Sequence, residues 1–219
     1  MYDPSFYFDR LYPFQDQILD SIRMLETGFY LTGGTAASRG YLNHRFSDDL
    51  DLFVNDDRRF GLWTERLIHA LSLHQGWNLR VLLKEERFDR MEIRSGEVSM
   101  KIELVNDVPC HVGAVVEHGI LGRLDSAENI LANKITAVMD RNEPKDLADI
   151  WGFCCRRACI LSAAIEGAQS KAAGVFPADL ARVLCSATRQ DWELVRWIEA
   201  PPLEQYLGEL VRLGESLII

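Results

Sequence analysis

A membrane-spanning segment is the first thing the 219-residue chain lacks, because no run of about 18 apolar residues occurs in it. The N-terminal MYDPSFYFDR also lacks the basic-then-apolar build of a secretory signal. The expectation is a cytoplasmic protein with no membrane partner. A disulfide framework is missing too: the five cysteines are odd in number and irregularly spaced. Cys154, Cys155 and Cys159 fall inside a helical pattern, where they read as small core or helix-surface residues, with a redox or metal role as the alternative. Positive charge is scarce, with 24 lysines and arginines against 33 acidic residues and a formal net charge of −9. That balance argues against a protein that coats nucleic acid through bulk charge. It leaves room for a local basic patch, since Arg39, Arg45, Arg58 and Arg59 lie close in sequence to an acidic motif. No internal repeat and no Pro/Gly/Ser-rich linker interrupts the chain. What is present is 47% hydrophobic content, enough to bury the core of one domain or one and a half.

The most informative stretch runs from Phe29 to Val54, FYLTGGTAASRGYLNHRFSDDLDLFV. Phe29 to Leu31 reads as a short buried strand, followed at once by Gly33, Gly34 and Thr35 and a helix-compatible run from Ala36 to Leu42. Asp49-Leu50-Asp51-Leu52-Phe53-Val54 then alternates acidic with apolar. In a strand this places Asp49 and Asp51 on one face, roughly 6.6 Å apart along the chain, with Leu50 and Leu52 toward the core. Two adjacent carboxylates repel each other, and a divalent cation between them removes that cost. Mg²⁺ is commonly held by one or two carboxylates together with substrate phosphates. The diglycine supplies a complementary feature, a turn whose backbone N–H groups can approach an anion.

Gly-Gly followed by an Asp-x-Asp strand resembles the nucleotidyltransferase superfamily. The finer wording, GGTA and then HR-x-S-x-D-L-D-L-F, is similar to the AbiEii/AbiGii toxin-like nucleotidyltransferases. The resemblance implies an α/β (α+β) fold, a mixed sheet flanked by helices over residues 1–115. A helical domain over 116–219 would close the nucleotide cleft. It also implies transfer of a nucleoside monophosphate from an NTP to an acceptor, with a tRNA 3′ end as one candidate and a cognate antitoxin as partner. Asp49 and Asp51 would hold two Mg²⁺ ions, or Mn²⁺ in their place. Glu103 would stand where the family carries a third carboxylate, usually Asp. Gly33, Gly34 and Thr35 would cradle phosphates with Arg45 and Ser47. AbiEii-like proteins further have a lysine on one helix and a basic-Asp-x-x-Asp segment opening the next. Lys134, Arg141, Lys145-Asp146 and Asp149 match that arrangement, with Lys145 in place of the usual arginine. On this reading Lys134 counters triphosphate charge, while Asp146 and Asp149 face the nucleotide. Two other readings stay open: a nucleotidyltransferase acting on a small molecule, as antibiotic-modifying enzymes do, and a nucleotide-binding module without catalysis.

Elsewhere the periodicity gives architecture. A helix is expected over Leu11 to Glu26 and another over Leu62 to His74. Trp77 to Leu83, Phe88 to Arg94 and Val98 to Val105 read as strands, with Glu103 alternating among core-facing neighbours. Past Pro109 the pattern is helical, with Asp125 and Glu128 as a capping pair and Pro144 opening a helix to about Arg157. Further helices are expected near Ala178 to Ala187, Asp191 to Glu199 and Leu203 to Leu217.

Overall fold

A computed structural model describes residues 3–141 and 143–218 and divides the chain into two compact units. The sheet unit comprises residues 1–36, 47–109 and 115–125; the helical unit comprises 37–46, 110–114 and 126–219. Around the expected boundary near residue 115 the chain therefore alternates between units before committing to helices. Among the described residues no helix is long and apolar enough to cross a membrane.

Among the described residues the sheet unit is built on seven strands: β1 (Tyr30–Thr32), β2 (Leu50–Asn55), β3 (Asn78–Lys84), β4 (Phe88–Ser95), β5 (Val98–Asp107), β6 (Val116–His118) and β7 (Gly122–Leu124). Their order in the sheet is β3-β4-β5-β2-β1-β7-β6. β2 runs parallel to β5 and β1 parallel to β7, while β1 is antiparallel to β2. The fold class is thus the mixed α/β one expected. Strict alternation in β2 and β5 buries Leu50, Leu52, Val54, Met100, Ile102 and Leu104 on one face. The helices Tyr12–Arg23 and Phe60–Ser72 contribute Phe14, Ile18, Trp63 and Leu67 to this unit's core. The strands β3 to β5 start and end within two residues of their expected bounds. β6 and β7 answer to no expectation, being three residues each and too short to show a period.

The α-helices of the helical unit, among the described residues, are Ala127–Arg141, Pro144–Trp151, Leu161–Gln169, Pro177–Cys185, Arg189–Leu194 and Leu203–Glu215. Pro144 and Pro177 each occupy a first turn, where the missing N–H costs nothing. One expected cap is corrected. The hydroxyl of Ser126, not the Asp125 carboxylate, accepts the first-turn bond, from Asn129 N at 3.0 Å. Asp125 is instead fully buried and accepts from Thr32 Oγ1 at 2.6 Å inside the sheet unit. Trp151, Trp197 and Tyr206 form the aromatic centre of the helical unit, with ring centroids 5.4 to 6.0 Å apart in edge-on contacts.

Candidate active site

In the sheet unit the turn after β1 and the start of β2 are fastened to each other. Gly33 has φ of +67°, a left-handed conformation, and a Cβ there would overlap the Asp51 carboxylate. Only glycine lets the turn lie against that side chain. Thr35 Oγ1 donates to the Asp49 carbonyl at 2.5 Å and shares a hydroxyl–hydroxyl bond of 3.1 Å with Ser47. Gln15 Nε2, from the helix Tyr12–Arg23, donates to the Asp48 carbonyl at 3.0 Å. Thr35 and Ser47 therefore spend their hydroxyls on holding the backbone that carries Asp49.

Strand register then lines up a polar row. Thr32 pairs with Asp51, Asp51 with Glu103, and Glu103 with Arg90, across β1, β2, β5 and β4. In a parallel pair, aligned residues point to the same side, so Asp51 and Glu103 are neighbours on the face opposite the core. Arg90 Nε donates to Glu103 Oε1 at 2.9 Å. Lys101 Nζ lies 3.1 Å from Asp49 Oδ2 and 3.3 Å from Glu103 Oε1, bridging the two. Burial lowers the Lys101 pKa, but its bonds to Asp49 and the charge of Glu103 outweigh that and raise it. Sequence reasoning assigned no role to Lys101 or Arg90. The signal for Lys101 was its place two residues before Glu103, on the same strand face.

These carboxylates suit Mg²⁺ in chemistry, being hard oxygen donors set close together. Among the described residues no group of three or more His, Cys, Asp or Glu stands ready as a metal cage.

Arg45, Lys134, Asp146 and Asp149 come together in the helical unit, joined by His44 and Arg141. Arg45 grips Asp149 in a two-pronged pair, Nε to Oδ1 and Nη2 to Oδ2, both at 2.7 Å. Lys134 Nζ lies 2.7 Å from Asp149 Oδ2 and 2.9 Å from Asp146 Oδ1. Arg141 Nε donates to Asp146 Oδ2 at 2.8 Å, and His44 Nε2 meets Asp149 Oδ1 at 3.0 Å. Asp146, Asp149 and His44 are fully buried. Burial pushes the Asp149 carboxyl up, but Arg45 and Lys134 overcome it and hold it well below the usual carboxylate range. Asp146 is lowered on the same balance. Lys145, in contrast, pairs with Glu143 at 2.8 Å on the surface. The cysteines offer no reactive thiolate in the cluster the sequence picks out: burial pushes Cys154 up to about 12, and Cys159 is raised for the same cause.

The model of the nucleotidyl transferase AbiEii toxin family, of type IV toxin–antitoxin systems, matches residues 17–154. The chain belongs to that family. The match spans both sets of residues just described, from the helix before the diglycine to the last turn after Asp149. An AbiEii-family chain is a nucleotidyltransferase toxin by class. Solved structures agree in fold. A candidate nucleotidyltransferase from H. pylori is 20% identical, with TM-score 0.65 and 94% of this chain and 93% of that one covered. JHP933 from Helicobacter pylori gives 20%, 0.64, and 94% and 90%. MenT4, a nucleotidyltransferase toxin from Mycobacterium tuberculosis H37Rv, gives 14%, 0.63, and 94% and 83%. No curated protein matches the chain.

Proposed function

We propose that the protein transfers a nucleoside monophosphate from an NTP to an acceptor, releasing pyrophosphate, in a reaction that needs a divalent cation. The observation that carries this reading is the polar row on the sheet: Asp51 and Glu103 aligned on adjacent strands, with the Gly33 turn laid against Asp51. Asp49, Asp51 and Glu103 would hold Mg²⁺, which supplies charge to stabilise the phosphoryl oxygens. Arg90 and Lys101 both hold Glu103 through Oε1. The other oxygen, Oε2, is then the proposed acceptor for the proton of the attacking hydroxyl. The backbone of Gly33 and Gly34 is offered as the phosphate cradle.

Lys134 is proposed to counter triphosphate charge, with Asp146 and Asp149 fixing its position, because both carboxylates hold its ammonium. The type IV toxin–antitoxin family supports a cognate antitoxin as partner, and a tRNA 3′ end is proposed as one acceptor by analogy alone.

Incubation with each α-labelled NTP, total tRNA and Mg²⁺ tests the reading, label being followed into RNA and into protein. Label should enter RNA with wild type and vanish with Asp51→Asn. Nucleotide affinity that is equal in Mg²⁺ and in EDTA would remove the metal from the reading.

A further inference from the structure

Lys101 and Glu103 lie two residues apart on β5, so their side chains share a face, and Asp49 meets the same ammonium. A lysine cation is therefore bound by two of the three carboxylates to which the proposed function gives a divalent metal. An ammonium and a metal dication cannot occupy one carboxylate pair at contact distance without strong repulsion. The geometry marks Lys101 as a removable occupant. Its side chain is 39% exposed and that of Asp49 38%, so water screens the pair and the pair alone is worth little. The charge rides on a flexible four-carbon stem with no fixed fork. Arg90 differs: it is a guanidinium on the neighbouring strand, held to Glu103 alone of the three carboxylates. Lys101 is the cation shared by two.

We propose that Lys101 is an internal counter-cation that occupies the Asp49–Glu103 pair in the free protein and weakens its hold on free divalent metal. Metal binding is thereby coupled to nucleotide, whose phosphates offer the displaced ammonium another anionic partner. The inference rests on Asp49, Asp51 and Glu103 being metal-holding carboxylates, as proposed above. By linkage, whatever factor Lys101 takes from metal affinity without nucleotide reappears as extra cooperativity with nucleotide.

The test titrates Mn²⁺ into the full chain and reads free Mn²⁺ by electron paramagnetic resonance, with and without a non-hydrolysable NTP analogue. Lys101→Met, which keeps the stem and removes the charge, should tighten nucleotide-free Mn²⁺ binding by about two- to fivefold. It should shrink the cooperativity with the analogue by the same factor. Lys101→Arg retains the charge and should stay within about twofold of wild type. Unchanged or weaker Mn²⁺ binding in Lys101→Met overturns the inference while leaving the proposed function in place. Mn²⁺ binding that Asp51→Asn leaves intact overturns both, because the carboxylates are then not the metal site.

Discussion

Asp149 gathers two cations and an imidazole in the helical unit's cluster, with Arg45, Lys134 and His44 all within 3.0 Å of its oxygens. Replacing it with Asn strands two buried cations, so Asp149→Asn should cost about 3–5 kcal/mol. Urea unfolding checks this, and a loss below about 1 kcal/mol would mean the cluster is looser than its distances imply. Lys134→Ala belongs to the same class, since it leaves two buried carboxylates short of a partner. The enclosure of Lys134 is not legible in the sequence, because helical spacing does not reveal which polar residue is buried. His44 adds a dependence on pH. A carboxylate only accepts, so Nε2 carries the proton given to Asp149 and Nδ1 is left buried without a partner. A second proton there would have no acceptor. Burial, outweighing the pull of Asp149, lowers the His44 pKa below its ordinary 6.5. The unfolded chain protonates at that ordinary value and the fold does not. The His44 contribution is therefore complete above about 6.5 and lost as pH falls toward the depressed folded value. Asp146 and Asp149 act at more acid pH: their contribution is complete above the ordinary 3.8 and lost below it, toward their lowered folded values. Melting temperatures should fall between about pH 7 and 5, and His44→Gln should flatten that part of the profile. A wild-type profile flat over this range would contradict the assignment.

The Gly33 turn and the strand beside it depend on each other's shape. Gly33→Ala meets two penalties, a left-handed φ and a Cβ driven into the Asp51 carboxylate. Gly96, in the turn between β4 and β5, has φ of +58° with open space where its Cβ would be, so Gly96→Ala meets only the first. Each left-handed alanine costs about 1–2 kcal/mol of stability. Transfer activity should separate them: Gly33→Ala should lose about a hundredfold or more by moving Asp51, and Gly96→Ala should keep wild-type turnover. Equal activities would mean the turn does not position the carboxylate. At this scale much was readable in the sequence. The alternation in LDLFV and VSMKIEL identified β2, β5 and the face bearing Asp51 and Glu103, because burial on one side writes a period of two. The partnership of β2 with β5 was not readable, since parallel pairing joins segments whose spacing carries no local signal. The same holds for Arg45. It stands in HRFSDDLDL beside the acidic motif, yet the fold gives it to Asp149, 104 residues away.

The molecule carries two sets of acidic residues whose response to neutralisation should be opposite. In the sheet unit Lys101 lies between Asp49 and Glu103, Arg90 holds Glu103, and Asp51 is aligned with Glu103 on the next strand, so three partly exposed carboxylates face two cations. Removing one negative charge relieves repulsion; Asp49 would lose one half-exposed ion pair and Glu103 two, each worth at most about 1 kcal/mol. In the helical unit Asp146 and Asp149 are enclosed and face the cations Arg45, Lys134 and Arg141. Removing one there leaves buried positive charge uncompensated. Asp51→Asn and Glu103→Gln should therefore abolish nucleotide transfer while metal-free melting stays within a few degrees of wild type. Asp146→Asn and Asp149→Asn should lose transfer and stability together, by about 3–5 kcal/mol each. Label transfer from α-labelled NTPs, measured beside metal-free thermal melts on all four variants, reads both quantities. Transfer retained in Asp51→Asn and Glu103→Gln would end the proposal that the sheet carboxylates are the catalytic set. A collapse of their stability would place them instead among the ion pairs that hold the sheet, a role their exposed, excess charge argues against.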